Sequence, residues 1–108
     1  MANKYNIDMF RTEEELWLRA VENPKGISFR PKDPGANFHS WAANWRLRMH
    51  KCRMADRQRN LTLYPPGHAK HGKSAFDSYI VRIDEETLCL RIEYRGDDLD
   101  SLIVEDNE

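Results

Sequence analysis

Between Phe38 and Arg59 the chain reads FHSWAANWRLRMHKCRMADRQR, and its apolar residues return at the spacing of an α-helix. With about 3.6 residues per turn, Phe38, Trp41, Ala42, Trp45, Met49 and Cys52 share one stripe, the pattern of a long helix seated on a core. Beside that stripe run Arg46, His50, Arg53 and Arg57, separated by four, three and four residues. One rod therefore carries an oily line and a cationic line a side chain's width apart, and burying the first holds the second toward a partner. Whatever else the chain does, it has to supply a surface for three aromatic rings on one helix.

A chain of 108 residues is the size of one domain, so residues 1–108 are read as a single unit whose acidic end frays from about residue 97. Thr12 followed by Glu15 has the form of a capping box and predicts a short N-terminal helix from there, with Leu16, Trp17, Ala20 and Val21 inward and Pro24 beyond its end. Gly26 to Arg30 alternates like a short strand, and Asn37 or Ser40 can cap the long helix. That helix is expected to give out near Asn60, with Leu61 to Tyr64 extended before Pro65 and Pro66. Tyr79 to Ile83 and Leu88 to Tyr94 alternate across four intervening residues, which predicts an antiparallel hairpin. Leu99, Leu102, Ile103 and Val104 suggest one more strand or helical turn. The expected class is α+β: one long basic amphipathic helix packed on a small antiparallel sheet, with a short helix before it.

The formal net charge of -1 hides a division along the chain. From Pro24 to Ala75 there are eleven Lys and Arg against two Asp, whereas from Phe76 to Glu108 three Arg face eleven acids. Such asymmetry points to an anionic partner for the middle, or to acids of the chain itself that compete for the same cations. No apolar run approaches the roughly 20 residues needed to span a bilayer, and the N-terminus lacks a signal-peptide layout, so a cytoplasmic protein without membrane contact is expected. Cys52 and Cys89 sit where small hydrophobes sit and are expected as free thiols.

Gly67 to Ser74, GHAKHGKS, satisfies the phosphate-loop pattern G-x-x-x-x-G-K-S, in which backbone amides and a Lys cradle phosphate. The setting is wrong for nucleotide hydrolysis, since two prolines precede the motif, a β-like run follows it and only 34 residues remain. Gly67, His68, His71, Gly72, Lys73 and Ser74 stay as a candidate phosphate loop. His68 and His71 lack the paired cysteines of structural zinc sites, and Ser74, His71 and Asp77 lack a nucleophile elbow. Neither a metal, a cofactor nor a catalytic residue is expected.

The run from the basic helix through ADRQRN, YPPGH, HGKS and FD resembles small accessory proteins encoded by tailed bacteriophages, over Ile27 to Val81. The resemblance carries no established activity. What it implies is a viral protein acting in the host cytoplasm on phage or host macromolecules, with Gly67, His68, His71, Gly72, Ser74 and Asp77 in one ordered loop.

Three functional expectations follow. The first is a non-enzymatic DNA- or RNA-binding protein that meets the phosphate backbone through Arg46, Arg48, His50, Lys51, Arg53, Arg57 and Arg59, aided by Lys70 and Lys73. The second is a protein-protein effector that docks the same helix on an acidic host surface, or offers the acidic C-terminal segment as a decoy, with Leu47 and Met54 as an apolar seam for a partner or a second copy. The third is a phosphate- or nucleotide-binding enzyme built on the GHAKHGKS loop.

Overall fold

A computed structural model describes residues 6–32 and 37–95. Helix α1 spans Arg11–Glu22, strand β1 Ile27–Phe29, helix α2 Phe38–Leu63, strand β2 Tyr79–Asp84 and strand β3 Cys89–Tyr94. Both strand pairings are antiparallel and the sheet order is β1-β3-β2, so among the described residues β3 is central and β2 is an edge. The fold is the expected α+β: a long helix and a short N-terminal helix on a three-stranded antiparallel sheet. The expected apolar element at Leu99 to Val104 lies outside the described residues.

The stripe read from the sequence is the face that α2 buries. Phe38, Ala42, Met49 and Cys52 are buried outright, and the stripe continues to Ala55 and the carboxylate of Asp56. Two packed clusters divide the length of the helix. Phe38 and Ala42 sit with Leu90 under the half-buried Trp41 and Trp45, while Met49, Cys52 and Ala55 meet Ile92, Phe76 and Trp17 of α1. Trp17 is fully enclosed: its indole N–H donates to the carbonyl of Met49 at 3.1 Å and its ring lies parallel to Phe76, centroids 5.2 Å apart. Removing so large a ring from such a site costs about 3 to 5 kcal/mol in comparable cores.

Two boundaries differ from the sequence expectation. Helix α2 does not stop at Asn60 but runs to Leu63, with Tyr64 N–H still bonded to the Asn60 carbonyl at 3.3 Å. Leu61 and Leu63 are exposed and have no strand to pair with, and Pro65 restricts only the residue before it, so helix propagation wins. At the other end α1 begins at Arg11 and is preceded by a 3-10 turn, Ile7–Phe10, that Asn6 caps by accepting from the Asp8 amide at 3.0 Å. Burial of Phe10 fixes the chain a turn earlier than Thr12, and Glu15 bonds Arg19 at 2.8 Å instead of closing a capping box. A capping box does form at Ser74 and Asp77, where it opens the short 3-10 turn Ala75–Ser78 that feeds β2.

The hairpin closes over a turn in which the Asp84 carboxylate accepts from the amides of Glu86 and Thr87 at 3.0 and 3.3 Å. Cys52 and Cys89 are buried and free. Burial, with Glu14, Glu13 and Asp56 nearby, pushes the Cys52 thiol up to about 12 from its ordinary 9.0.

Two outcomes check this packing. Gly26 has a φ of +79° and lies against β3, where a Cβ would overlap the carbonyl oxygen of Ile92; Gly26→Ala should therefore lower stability by about 2 kcal/mol or more in urea titration. Cys52 in the native protein should resist iodoacetamide at pH 8 and react once urea unfolds the chain, read by mass spectrometry. Because its folded pKa is raised, this thiol's contribution to stability is intact below about pH 9 and is lost as pH climbs toward 12.

Candidate functional site

The cations of α2 divide into two groups once the helix is seated. Arg48 reaches across to α1 and donates to the buried carboxylate of Glu13 at 2.6 Å, with its guanidinium 3.7 Å from the centroid of the Trp45 ring. Arg59 bonds Glu14 at 3.1 Å and also Asp56, whose second oxygen accepts from the Ser74 hydroxyl at 2.6 Å. Arg57 pairs with Asp77 at 2.8 Å. Arg53 donates to the Tyr79 carbonyl at 2.9 Å and lies 4.9 Å from the Trp17 ring centroid; burial, then the neighbouring Arg57 and Arg95, hold its pKa below the ordinary arginine value against the opposing pull of Asp77. Four of the arginines singled out from the sequence are thus joined to the protein's own groups.

Arg46, His50 and Lys51 form the other group. Among the described residues none of these three side chains has an ion pair or hydrogen bond, and Arg46 and His50 are exposed. Arg46 and His50 stand over an open groove of about 510 Å³ between α2 and the edge strand β2. From the helix come Ala43, Arg46, Leu47, His50 and Arg53, and from the strand Tyr79, Ile80, Val81 and Ile83. Among the described residues the lining has three cationic or imidazole residues, six apolar or aromatic ones and no carboxylate. Leu47 is 49% exposed here, a large apolar side chain open to solvent. Met54 does not continue that seam, since it is half-buried and its sulfur lies 3.3 Å from the Arg57 guanidinium.

Lys70 and Lys73 lie elsewhere. Together with Arg59, Leu63, Leu18 and Glu14 they line a second cleft of about 430 Å³ between α1, the end of α2 and the GHAKHGKS loop. The two basic sets therefore flank α2 separately and share no lining residue. The loop is ordered by its own turns. Gly67 and Gly72 take positive φ, and the amides of His68, His71 and Lys73 donate to the carbonyls of Pro65, His68 and Lys70 at 3.0, 3.0 and 3.1 Å. Amides spent in this way do not converge on a common point as those of a phosphate cradle do. The side chains are engaged too: His68 accepts from the Lys70 amide and stacks on Tyr64, His71 Nδ1 is 2.6 Å from the Tyr64 carbonyl, and Ser74 is held between Asp56 and the Phe76 amide. Ser74, His71 and Asp77 make no nucleophile-base contact, because Asp77 instead accepts from the Ser74 amide at 3.0 Å.

Sequence reasoning missed Glu13 and Asp56 as the acids that claim the arginines. Both carried a signal, since Glu13 lies four residues before Trp17 on the inward face of α1 and Asp56 lies seven after Met49 on the stripe of α2. The outer edge of β2 was also missed, because the sheet order has no local signature. No family model matches the chain, and neither a curated protein nor a solved structure matches it.

The division of the arginines is measurable. Arg48→Ala strands a buried carboxylate and should cost about 2 to 3 kcal/mol in urea denaturation, while Arg46→Ala should stay within about 0.5 kcal/mol of the parent.

Proposed function

We propose that the protein is a non-enzymatic interaction module whose α2–β2 groove takes an acidic segment of another protein. The observation that carries this reading is the composition of the groove: an apolar floor of Leu47, Val81 and Ile83 beneath the free Arg46 and His50, with no acid among the described residues of the lining. Protein interfaces of this kind combine a desolvated apolar centre with a charged rim that selects the partner's sign.

Binding of DNA or RNA through the phosphate backbone draws on the same cations and fits the arrangement less well. A phosphate track needs several cations on one continuous surface, each adding to the salt dependence. On α2 the free set is Arg46, His50 and Lys51, and Lys70 and Lys73 belong to the opposite cleft. An apolar floor also offers nothing to a sugar-phosphate chain. The phage-protein resemblance is compatible with a host protein as the partner.

The two readings separate in one experiment. Immobilised protein should retain a defined polypeptide from nuclease-treated lysate, and Arg46→Glu or Leu47→Glu should weaken that retention about tenfold or more. Lys73→Glu, in the other cleft, should leave it unchanged. Retention indifferent to both groove variants would overturn the proposal. Retention lost on nuclease treatment, with a salt slope of several phosphates on oligonucleotides, would replace it with nucleic-acid binding.

A further inference from the structure

Resting on the reading of the groove as a protein-binding site, we infer that its occupant is an extended acidic segment that joins the sheet as a fourth strand along the outer edge of β2. The phase of the sheet decides which groups are offered there. Arg95 N–H donates to the Ser78 carbonyl at 2.6 Å, flanking the Tyr79–Tyr94 pair, so Tyr79 belongs to a pair that does not exchange main-chain bonds with β3. Alternation then turns the N–H and C=O groups of Val81 and Ile83 away from β3, toward the open edge, and those of Ile80 and Arg82 toward β3. Among the described residues no hydrogen bond reaches the outward groups of Val81 and Ile83. At Tyr79 the outward carbonyl is taken by Arg53, which closes that end of the edge.

An exposed row of unpaired amides and carbonyls is a template for one more strand. Here it lies beside a cavity instead of open solvent. Helix α2 and β2 line that groove together, so a strand about 4.8 Å beyond β2 would send alternate side chains toward the 510 Å³ groove. The groove has a direction, because Ile83 packs against the Phe38, Ala42 and Leu90 cluster toward one end while Arg53 meets Tyr79 at the other. An incoming apolar side chain would lie against Ala43, Leu47 and Ile83, and an acidic one two or four residues away would reach Arg46 or His50. Charge selects the class of occupant. A second copy pairing β2 with β2 would bring another Arg46 and His50 to a groove that has no carboxylate among the described residues to receive them, whereas an acidic strand neutralises both.

Amide hydrogen exchange on the full chain tests this directly. The probe is a capped six-residue peptide in which valine alternates with glutamate, compared with a block-ordered peptide of the same composition and with one carrying lysine for glutamate. On saturation with the alternating peptide, the amides of Val81 and Ile83 should slow by about tenfold or more, and those of Ile80 and Arg82, already bonded to β3, should change little. N-methylating alternate peptide amides should abolish binding in one phase and spare it in the other. Perturbation of Arg46 and Leu47 without slower exchange at Val81 and Ile83 would overturn the added strand and leave the protein-binding groove standing. Equal binding of the lysine peptide would overturn the acidic occupant. No binding by any of the three at millimolar peptide would overturn both the strand and the groove reading.

Discussion

The enclosure of Trp17 is the contact on which the remaining structure depends. Its ring fills the space between α1, α2 and the turn before β2, stacking on Phe76 on one side and meeting the Arg53 guanidinium on another, while its N–H satisfies the Met49 carbonyl. A ring of this size brings together three segments distant in sequence, and its polar atom specifies how they fit. It also draws Arg53 off the surface. A side chain that the helical wheel assigns to an outward cationic line is held by the core and by the carbonyl of Tyr79. Packing and charge placement are therefore one problem in this molecule.

Among the described residues, three arginines of α2 form their ion pairs inside the protein itself. Glu13 and Glu14 come from the N-terminal helix, Asp56 from α2 itself and Asp77 from the turn before β2, and between them they engage Arg48, Arg59 and Arg57. Glu13 and Asp56 are buried, so their partners compensate charges that could not stand alone away from water. The density of arginine on α2 is thus to a large extent a structural requirement. What remains over on α2, among the described residues, is Arg46 with His50 and Lys51.

The groove and the sheet edge share a strand. The groove lies between α2, a helix of 26 residues, and β2, an outer strand of the three-stranded sheet. There Leu47 is exposed on the helix, and among the described residues the outward main chain of Val81 and Ile83 is unpaired on the strand. Isolated edges are usually blunted by charge or covered. Here Arg53 covers one end, and among the described residues the outward main chain of Val81 and Ile83 stays unpaired.

Much of this was legible along the chain. The six-residue stripe from Phe38 to Cys52 announced α2 and its buried face, Asn37 marked its start, and the alternation around Leu90 and Ile92 announced the hairpin and the α+β class. These are periodic signals, set by local geometry within a few residues. Boundaries such as Leu63 and Arg11 escaped because neighbouring contacts, or their absence, outweighed local propensity. The sequence by itself determined which residues are oily, which are cationic and on which helical face each lies. Only the tertiary structure decided which cations are spent and which are free, and that β2 is an edge. Those outcomes depend on pairs such as Glu13 with Arg48 and β1 with β3, which lie 35 and more than 60 residues apart, so no local pattern says which group meets which.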